Sequence, residues 1–158
     1  MRKALLTILT GGLIAGILDI TYACIHSYIR RGSTPIAVLQ SVAGGALGPK
    51  AAREGGIKTA ALGLAFHFSI AIIAAAVYYL ASRVFPFLIN QAVICGILYG
   101  LCVYVVMNCI VLQLSAIHST TYPWSYPRSV LIGGLLIHMF GIGLPIALAV
   151  RWGSKKWK

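Results

Sequence analysis

Four polar side chains that stand inside long apolar stretches are the residues of this sequence that could do chemistry: Asp19, His67, Asn108 and His138. A carboxylate and an imidazole can exchange a proton near neutral pH, because histidine has an ordinary pKa of about 6.5. Two histidines and a carboxylate are also ligand types that some metals accept, although no His-x-x-x-His or similar spacing occurs here. A further histidine, His26, follows Asp19 on the same stretch.

These residues leave four interpretations open. They are hydrogen-bond staples between helices; a proton or substrate pathway in which Asp19 titrates and a histidine relays; a metal site; or a catalytic site. An ionisable group inside a membrane is a functional-site hypothesis by default. The serines Ser69 and Ser115 stand in no Gly-x-Ser-x-Gly motif, so we expect no catalytic residue. Because no metal-ligand spacing occurs, we also expect no metal, and we expect no cofactor.

The composition identifies the environment of these groups. The chain has 158 residues, of which 59% are hydrophobic and 9% charged, and its mean hydropathy is +0.91. An average soluble domain carries about 25% charged residues, so this chain cannot cover itself with a water-facing surface. The net charge of +11 comes from a shortage of acids, with 13 Lys+Arg against 2 Asp+Glu, and not from a dense basic stripe. An ordinary soluble enzyme and a disordered tail are excluded, and we expect no nucleic-acid partner.

Four stretches are long enough to cross the hydrocarbon core, which takes about 20 apolar residues. They run approximately over residues 4–29, 57–82, 88–114 and 129–150. A fifth stretch, 35–47, follows Ser33-Thr34-Pro35 and ends at Gly48-Pro49; as a helix it would reach only about 20 Å. The sequence therefore predicts one all-α membrane domain over 1–158, a four-helix bundle with a short interfacial or re-entrant helix after the first span. We expect the buried side of that helix to consist of Ile36, Leu39, Val42, Ala43 and Leu47.

Small residues share a helix face with the polar residue in every span. Small residues let helix backbones approach closely in lipid, and lipid offers a polar group no partner. The four polar groups should therefore face the bundle interior. We expect Asp19, His67 and His138 to form one layer near the midplane, with His26 and Asn108 above it. The predicted packing glycines are Gly12, Gly16, Gly63, Gly96, Gly100, Gly134 and Gly141. The Gly12-to-Gly16 spacing also suggests a homodimer.

Three cysteines on the third span, Cys95, Cys102 and Cys109, are spaced seven residues apart. Seven residues of helix rise about 10.5 Å, whereas the Cα atoms of a disulfide lie within about 7 Å. We therefore interpret these cysteines as small apolar packing residues, and leave open a contact from Cys24 to one of them.

Lys and Arg are distributed almost equally between the two sides of the predicted bundle, so the positive-inside rule gives no clear orientation. The short basic ends and the aromatic, nearly uncharged third loop favour cytoplasmic termini. Tryptophan at headgroup depth and lysine near anionic lipid act as interfacial anchors. We assign this role to Trp124, Trp152, Trp157, Lys155 and Lys156.

Several short motifs together resemble one family. They are Gly12-Leu13-Ile14-Ala15-Gly16, His67-Phe68-Ser69, Phe85-Pro86, Pro123-Trp124 and His138. In this order they are similar to the pattern of the YagU-like small bacterial inner-membrane proteins. The resemblance implies a bacterial cytoplasmic membrane location and no particular activity, substrate or cofactor. Asp19 departs from that pattern, whereas His67 and His138 fit it, so the histidines are the element the resemblance shares.

We expect a non-enzymatic multi-pass membrane protein whose contact partner is the lipid bilayer. More specifically, we expect a proton-linked transporter or channel component that uses Asp19, His67 and His138, with the small-molecule substrate left open. The alternative is a structural or accessory subunit of a larger membrane complex, in which the small-residue faces are interfaces.

Overall fold

The computed structural model describes residues 2–117 and 121–156. In chain order the helices are α1 (Arg2–Arg31), α2 (Pro35–Leu47), α3 (Pro49–Glu54), α4 (Gly56–Val84), α5 (Phe87–Asn90), α6 (Ala92–Val106), α7 (Leu112–Leu114), α8 (Arg128–Leu136) and α9 (Leu144–Lys156). Two π-helical segments, Met107–Val111 and Ile137–Gly143, join α6 to α7 and α8 to α9, and Pro123–Ser125 forms a 3₁₀ turn.

Four of these units are long and apolar enough to cross a membrane, which confirms the predicted fold class. The first span is α1, the second is α4, the third is Ala92–Leu114 and the fourth is Arg128–Lys155. The third span begins four residues later than predicted, at Ala92 instead of Leu88. At Gln91 the backbone (φ −105°, ψ 39°) leaves the helical region, so residues 87–90 form the separate helix α5.

Neighbouring spans run antiparallel, as the residues that meet along them show. On α1, Gly12 lies against Ile72 and Gly16 lies against Phe68 of α4. Along the fourth span, Gly11 of α1 approaches Ala149. Both chain ends therefore lie at one end of the bundle, which we call the termini end, and the α1–α2 connection lies at the other, the loop end.

Helix α2 packs against α4 and does not cross the bundle. Thr34 caps it, because the Ala37 N–H donates to the Thr34 hydroxyl (3.3 Å), and Gly48 ends it at a φ of +81°. The predicted buried side is wrong in part: Gln40, Ala43 and Gly44 are buried, whereas Ile36 and Leu47 are 46% and 43% exposed. Small residues allow α2 to approach α4, and lipid is as good a surrounding for Ile36 and Leu47 as a protein interior.

The main cluster of buried core residues lies in the half of the bundle toward the termini end. It includes Ala15, Ala75, Tyr78, Ile146 and Val150, each at most 1% exposed. Long tyrosine side chains connect the second and third spans here: the Tyr99 hydroxyl donates to the Ala74 carbonyl (2.7 Å), and the Tyr78 and Tyr99 rings meet edge to face. Toward the loop end no such core fills the space between the described spans, and a cavity opens there.

Candidate functional site

A cavity of about 360 Å³ lies between the four spans and α2, and Asp19, His67, Asn108 and His138 all line it. Each of these residues comes from a different span, and each is partly buried. At 1.5 Å rise per residue, Asp19, His67 and His138 lie within about 5 Å of the middle of their helices, and Asn108 lies about 8 Å from the middle of its own. All four are displaced toward the loop end, so they form one polar layer.

His67 and His138 each donate a ring N–H to a backbone carbonyl. The carbonyl that accepts from His67 lies on a neighbouring helix, whereas the one that accepts from His138 lies on its own helix. The Nε2 of His67 lies 2.9 Å from the Gly16 oxygen on α1, and the Nδ1 of His138 lies 2.9 Å from the Gly134 oxygen on its own helix. A carbonyl oxygen can only accept, so each of these nitrogens carries the proton. In a neutral ring the opposite nitrogen, Nδ1 of His67 and Nε2 of His138, is then left with a lone pair that can accept a proton.

Asp19 lines the central cavity together with both imidazoles, and it lines a second cleft with His138 alone of the two. Lys and Arg are absent from the described residues that line the cavity. The histidines are therefore the groups that can compensate a negative charge on Asp19, and Asp19 is the group that can stabilise a charged histidine.

Two of the four polar residues lie in π-helical segments, Asn108 in Met107–Val111 and His138 in Ile137–Gly143. In both segments the side chain donates to the carbonyl four residues earlier: Asn108 Nδ2 to Tyr104 (2.9 Å) and His138 Nδ1 to Gly134 (2.9 Å). Such bonds compete with the backbone ladder of the helix. Pro145, which has no N–H, follows the second segment and removes a further helical bond. π-bulges of this kind are frequent at functional sites.

Tyr104 connects the two π-helical segments. Its ring packs edge to face on the His138 ring at 5.1 Å between centroids and contacts Gly134. Its hydroxyl is buried and makes no hydrogen bond to any residue that the structure describes. The third and fourth spans thus meet through a Tyr104–His138 contact beside the cavity.

Further cavities connect the polar layer to the loop end. A cleft of about 270 Å³ is lined by Asp19, His138 and His26, whose ring stacks on Tyr22 at 5.3 Å. A second cavity of about 490 Å³, with Arg31 and Arg53 in its wall, shares Ser27, Val38 and Ser41 with the central cavity. On the opposite side the buried core separates the central cavity from the termini end. Both of these additional cavities lie on the loop-end side of the polar layer.

Most of the predicted packing glycines lie at close contacts within the chain. A side chain on Gly12 or Gly16 would overlap Ile72 or Phe68, one on Gly63 would overlap the Leu39 carbonyl of α2, and one on Gly96 or Gly100 would overlap the fourth span. Gly134 lies against Tyr104, whereas the nearest neighbour of Gly141 is Ile137 of its own helix. Because Gly12 and Gly16 pack inside the chain, the homodimer stays a prediction and needs another face.

The remaining predictions concern cysteines, metals and anchors. All four cysteines are free thiols. Among the described residues, no group of three or more His, Cys, Asp or Glu is placed to hold a metal ion. Trp124 is 73% exposed and stacks on Tyr122, Trp152 is 51% exposed, and Lys155 is exposed. Trp157 and the side chain of Lys156 lie outside the described residues.

Sequence reasoning missed two parts of this site. Gln40 on α2 is buried, and its amide donates to the carbonyls of Gly56 (2.9 Å) and Arg53 (3.4 Å), which ties α2 to the start of α4. Its signal was a lone amide in an apolar 13-residue helix. The π-helical segments were missed as well, although Asn108 and Pro145 marked the two places where a regular helix would be disturbed.

No protein-family model, no curated protein and no solved structure matches this chain. The likeness to YagU-like proteins thus stays an expectation from short motifs, and the candidate function rests on the chain's own residues.

Proposed function

We propose that this chain is a non-enzymatic multi-pass protein of the bacterial cytoplasmic membrane that moves protons, alone or coupled to a small solute, through its polar layer. The observation that carries the proposal is that Asp19, His67, Asn108 and His138 come from four different spans and line one cavity. The bacterial location rests on the YagU-like motifs.

The presence of a carboxylate is the first support. A carboxylate at the centre of a membrane helix costs about 2.5–3.5 kcal/mol on insertion scales. An amide could hold helices in register at a smaller cost, as Gln40 does where it joins α2 to the start of α4. Asp19 instead lines one cavity with two imidazoles, and we infer that the acid passes its proton to a histidine nitrogen there and later takes it back.

The hydrogen bonds suggest which histidine exchanges the proton. His67 holds α4 to α1 through the Gly16 carbonyl, so its main role is to position the two helices. His138 bonds within its own helix and lines the Asp19 cleft as well as the central cavity. We therefore assign proton exchange to Asp19 and His138, and a positioning role to His67.

One-sided access is the third support. A carrier exposes its site to one side of the membrane at a time, and here the adjoining cavities lie toward the loop end while the buried core lies toward the termini end. A rearrangement of the two π-helical segments would be the step that opens the other side.

Contacts of the two serines support a role without catalysis. The hydroxyl of Ser69 donates to the Ala65 carbonyl (2.8 Å), and that of Ser115 donates to the Leu112 carbonyl (2.8 Å). Both bonds lie within local turns, and neither hydroxyl bonds to a histidine among the residues that the structure describes.

The experiment is a proton-flux assay in proteoliposomes that contain a pH-sensitive dye, started by a pH jump between about pH 5 and pH 8. Wild type should move protons, and Asp19→Asn should stop them. Glu54→Gln is the matched control, because Glu54 is the second of the two acids and forms an exposed pair with Lys50 (4.0 Å) outside the cavity. Flux in Asp19→Asn equal to that of wild type, or no flux in wild type over this range, would contradict the proposal.

A further inference from the structure

A mostly apolar cavity of about 490 Å³ lies between α2, α4 and the third span, and we call it the apolar cavity. Phe66 and Leu112 are among the residues that line it. Its serine hydroxyls each donate to a nearby backbone carbonyl of their own segment, so they add little polarity to the wall; they belong to Ser41, Ser69 and Ser115. A volume of this size is typical of sites for small apolar molecules.

Helix α2 connects the apolar cavity to the two cavities that contain polar groups. Near the start of α2, Val38 lines the loop-end cavity that holds the two arginines and also the central cavity. Val42 lines the central and the apolar cavity, and Ser41 lines all three. The cavities therefore adjoin along one side of α2, over about 12 Å from Val38 to Ala46.

The loop-end cavity, which we call the arginine cavity, suits an anionic group. Arg31 comes from the end of α1 and Arg53 from α3, and both line this cavity. The Gln40 amide donates to the Arg53 carbonyl (3.4 Å), which holds that residue beside α2. Ser27 and Ser33 add hydroxyl groups to the wall. A guanidinium binds a carboxylate through two parallel hydrogen bonds, and such charge-assisted bonds are about twice as strong as neutral ones.

We propose that the adjoining cavities bind a single-chain amphipathic carboxylate, with its carboxylate at Arg31 and Arg53 and its alkyl chain in the apolar cavity. Charge complementarity supports the anionic end, and the continuity of the cavities along α2 supports an elongated molecule. The inference deepens the proposed function, on which it rests, by naming the class of solute that accompanies the proton.

The experiment measures binding of radiolabelled decanoate to the full chain in phosphatidylcholine nanodiscs, with empty nanodiscs as the blank. Binding should be saturable, and unlabelled decanoate should compete. Acetate lacks the chain and decanol lacks the charge, so each should compete at least about tenfold more weakly. Equal competition by acetate would overturn the role of the apolar cavity, and equal competition by decanol would overturn the role of the arginines.

The double variant Arg31→Gln, Arg53→Gln tests the anionic end. It should weaken decanoate binding by at least about tenfold, since one basic residue near the surface contributes about fivefold. Both side chains are exposed, so the variant should fold. The matched control is Arg30→Gln, Lys58→Gln, which removes two exposed charges that line none of the three cavities. Unchanged binding in the first variant, or equal weakening in both, would overturn the proposal.

The variant Ala46→Phe tests the position of the alkyl chain. Ala46 lines the apolar cavity and is exposed, so a phenyl ring can enter that space without unfolding the chain and should weaken decanoate binding. Ala51→Phe is the control, because Ala51 is exposed on α3 and lines none of the three cavities. Unchanged binding in Ala46→Phe would overturn the placement of the chain.

Two further results separate this inference from the proposed function. Nanodisc binding needs no pH gradient, so a wild type that moves protons and binds no decanoate would overturn the solute assignment alone. A wild type that binds decanoate and moves no protons would keep the site and overturn the proposed function. Loss of decanoate binding when phosphatidylglycerol is added to the nanodiscs would identify a bilayer lipid as the occupant and overturn the solute assignment.

Discussion

The pair formed by α1 and α4 and the pair formed by the third and fourth spans use the same components in different ways. Each has glycines where two helices touch, at Gly12 and Gly16 in the first pair and at Gly96 and Gly100 in the second. Each also has a histidine bonded to a carbonyl oxygen. His67 bonds across the helix boundary, whereas His138 bonds within its own helix.

The two pairs also differ in how regular their helices are. Over the described residues, π-helical turns occur in the third and fourth spans, while α1 and α4 are regular α-helices. A bond across the boundary fixes two helices relative to each other, while a bond within one helix distorts it locally and leaves the neighbour free to move. We infer from this comparison that the first pair holds the site in a fixed position. The second pair, with Asp19, is the part that can change its conformation.

The largest expected difference between the two pairs is in proton flux. His138→Gln should reduce flux in proteoliposomes at least tenfold, because glutamine cannot carry the proton. His67→Gln should keep most of the flux, because its amide N–H can still donate to the Gly16 carbonyl. If both variants fold well and lose flux equally, both histidines carry the proton, and the proposed difference between the two helix pairs is wrong.

Glycine contacts should give the next largest effect. Gly100→Ala places a methyl group against the His138 carbonyl, which the backbone can relieve only by moving. We expect its free energy of unfolding to fall by about 1–3 kcal/mol in a denaturing-detergent titration. Gly45→Ala is the control, because its methyl would meet Ser115 Cβ at an ordinary 3.8 Å and it should gain up to about 1 kcal/mol of helix propensity. A stable Gly100→Ala would show that the second pair is loosely packed.

Two tyrosines of the third span test its contacts at a smaller scale, Tyr99 toward α4 and Tyr104 toward the fourth span. Tyr99→Phe loses the bond to the Ala74 carbonyl and should lower the free energy of unfolding by about 1 kcal/mol. Tyr104→Phe removes a buried hydroxyl that has no hydrogen-bond partner among the described residues, so stability should stay unchanged or rise. Loss of stability in Tyr104→Phe would mean that this hydroxyl is bonded in the membrane.

The smallest expected effect is the difference in stability between the two histidine truncations. His67→Ala breaks a bond between helices, and such bonds contribute about 0.6 kcal/mol on average in membrane proteins. His138→Ala breaks a bond within one helix and releases the Gly134 carbonyl to the backbone, so its loss should be smaller. The same titration measures both, and a larger loss for His138→Ala would reverse the roles of the two pairs.

Much of the fold could be predicted from the residues themselves. Apolar length identified the spans, and Thr34 with Gly48 marked the ends of α2. The face of α2 could not be predicted from hydrophobicity: Gln40 is buried and Ile36 is exposed, because in lipid an apolar side chain is not driven inward. The π-helical segments depend on side-chain bonds to carbonyls, and those bonds form only when Asn108 and His138 adopt particular rotamers.

By itself the sequence determined that this chain spans a membrane and that its few polar groups lie at similar depths, because helix rise and hydrocarbon thickness are fixed lengths. Tertiary structure alone decided that Asp19 shares two cavities with His138, that His67 holds α1 to α4, and that Arg31 and Arg53 line one cavity. Depth along a helix follows from residue number. The rotation of each helix and the choice of its neighbour follow from contacts such as Gly12 on Ile72, which no single segment encodes.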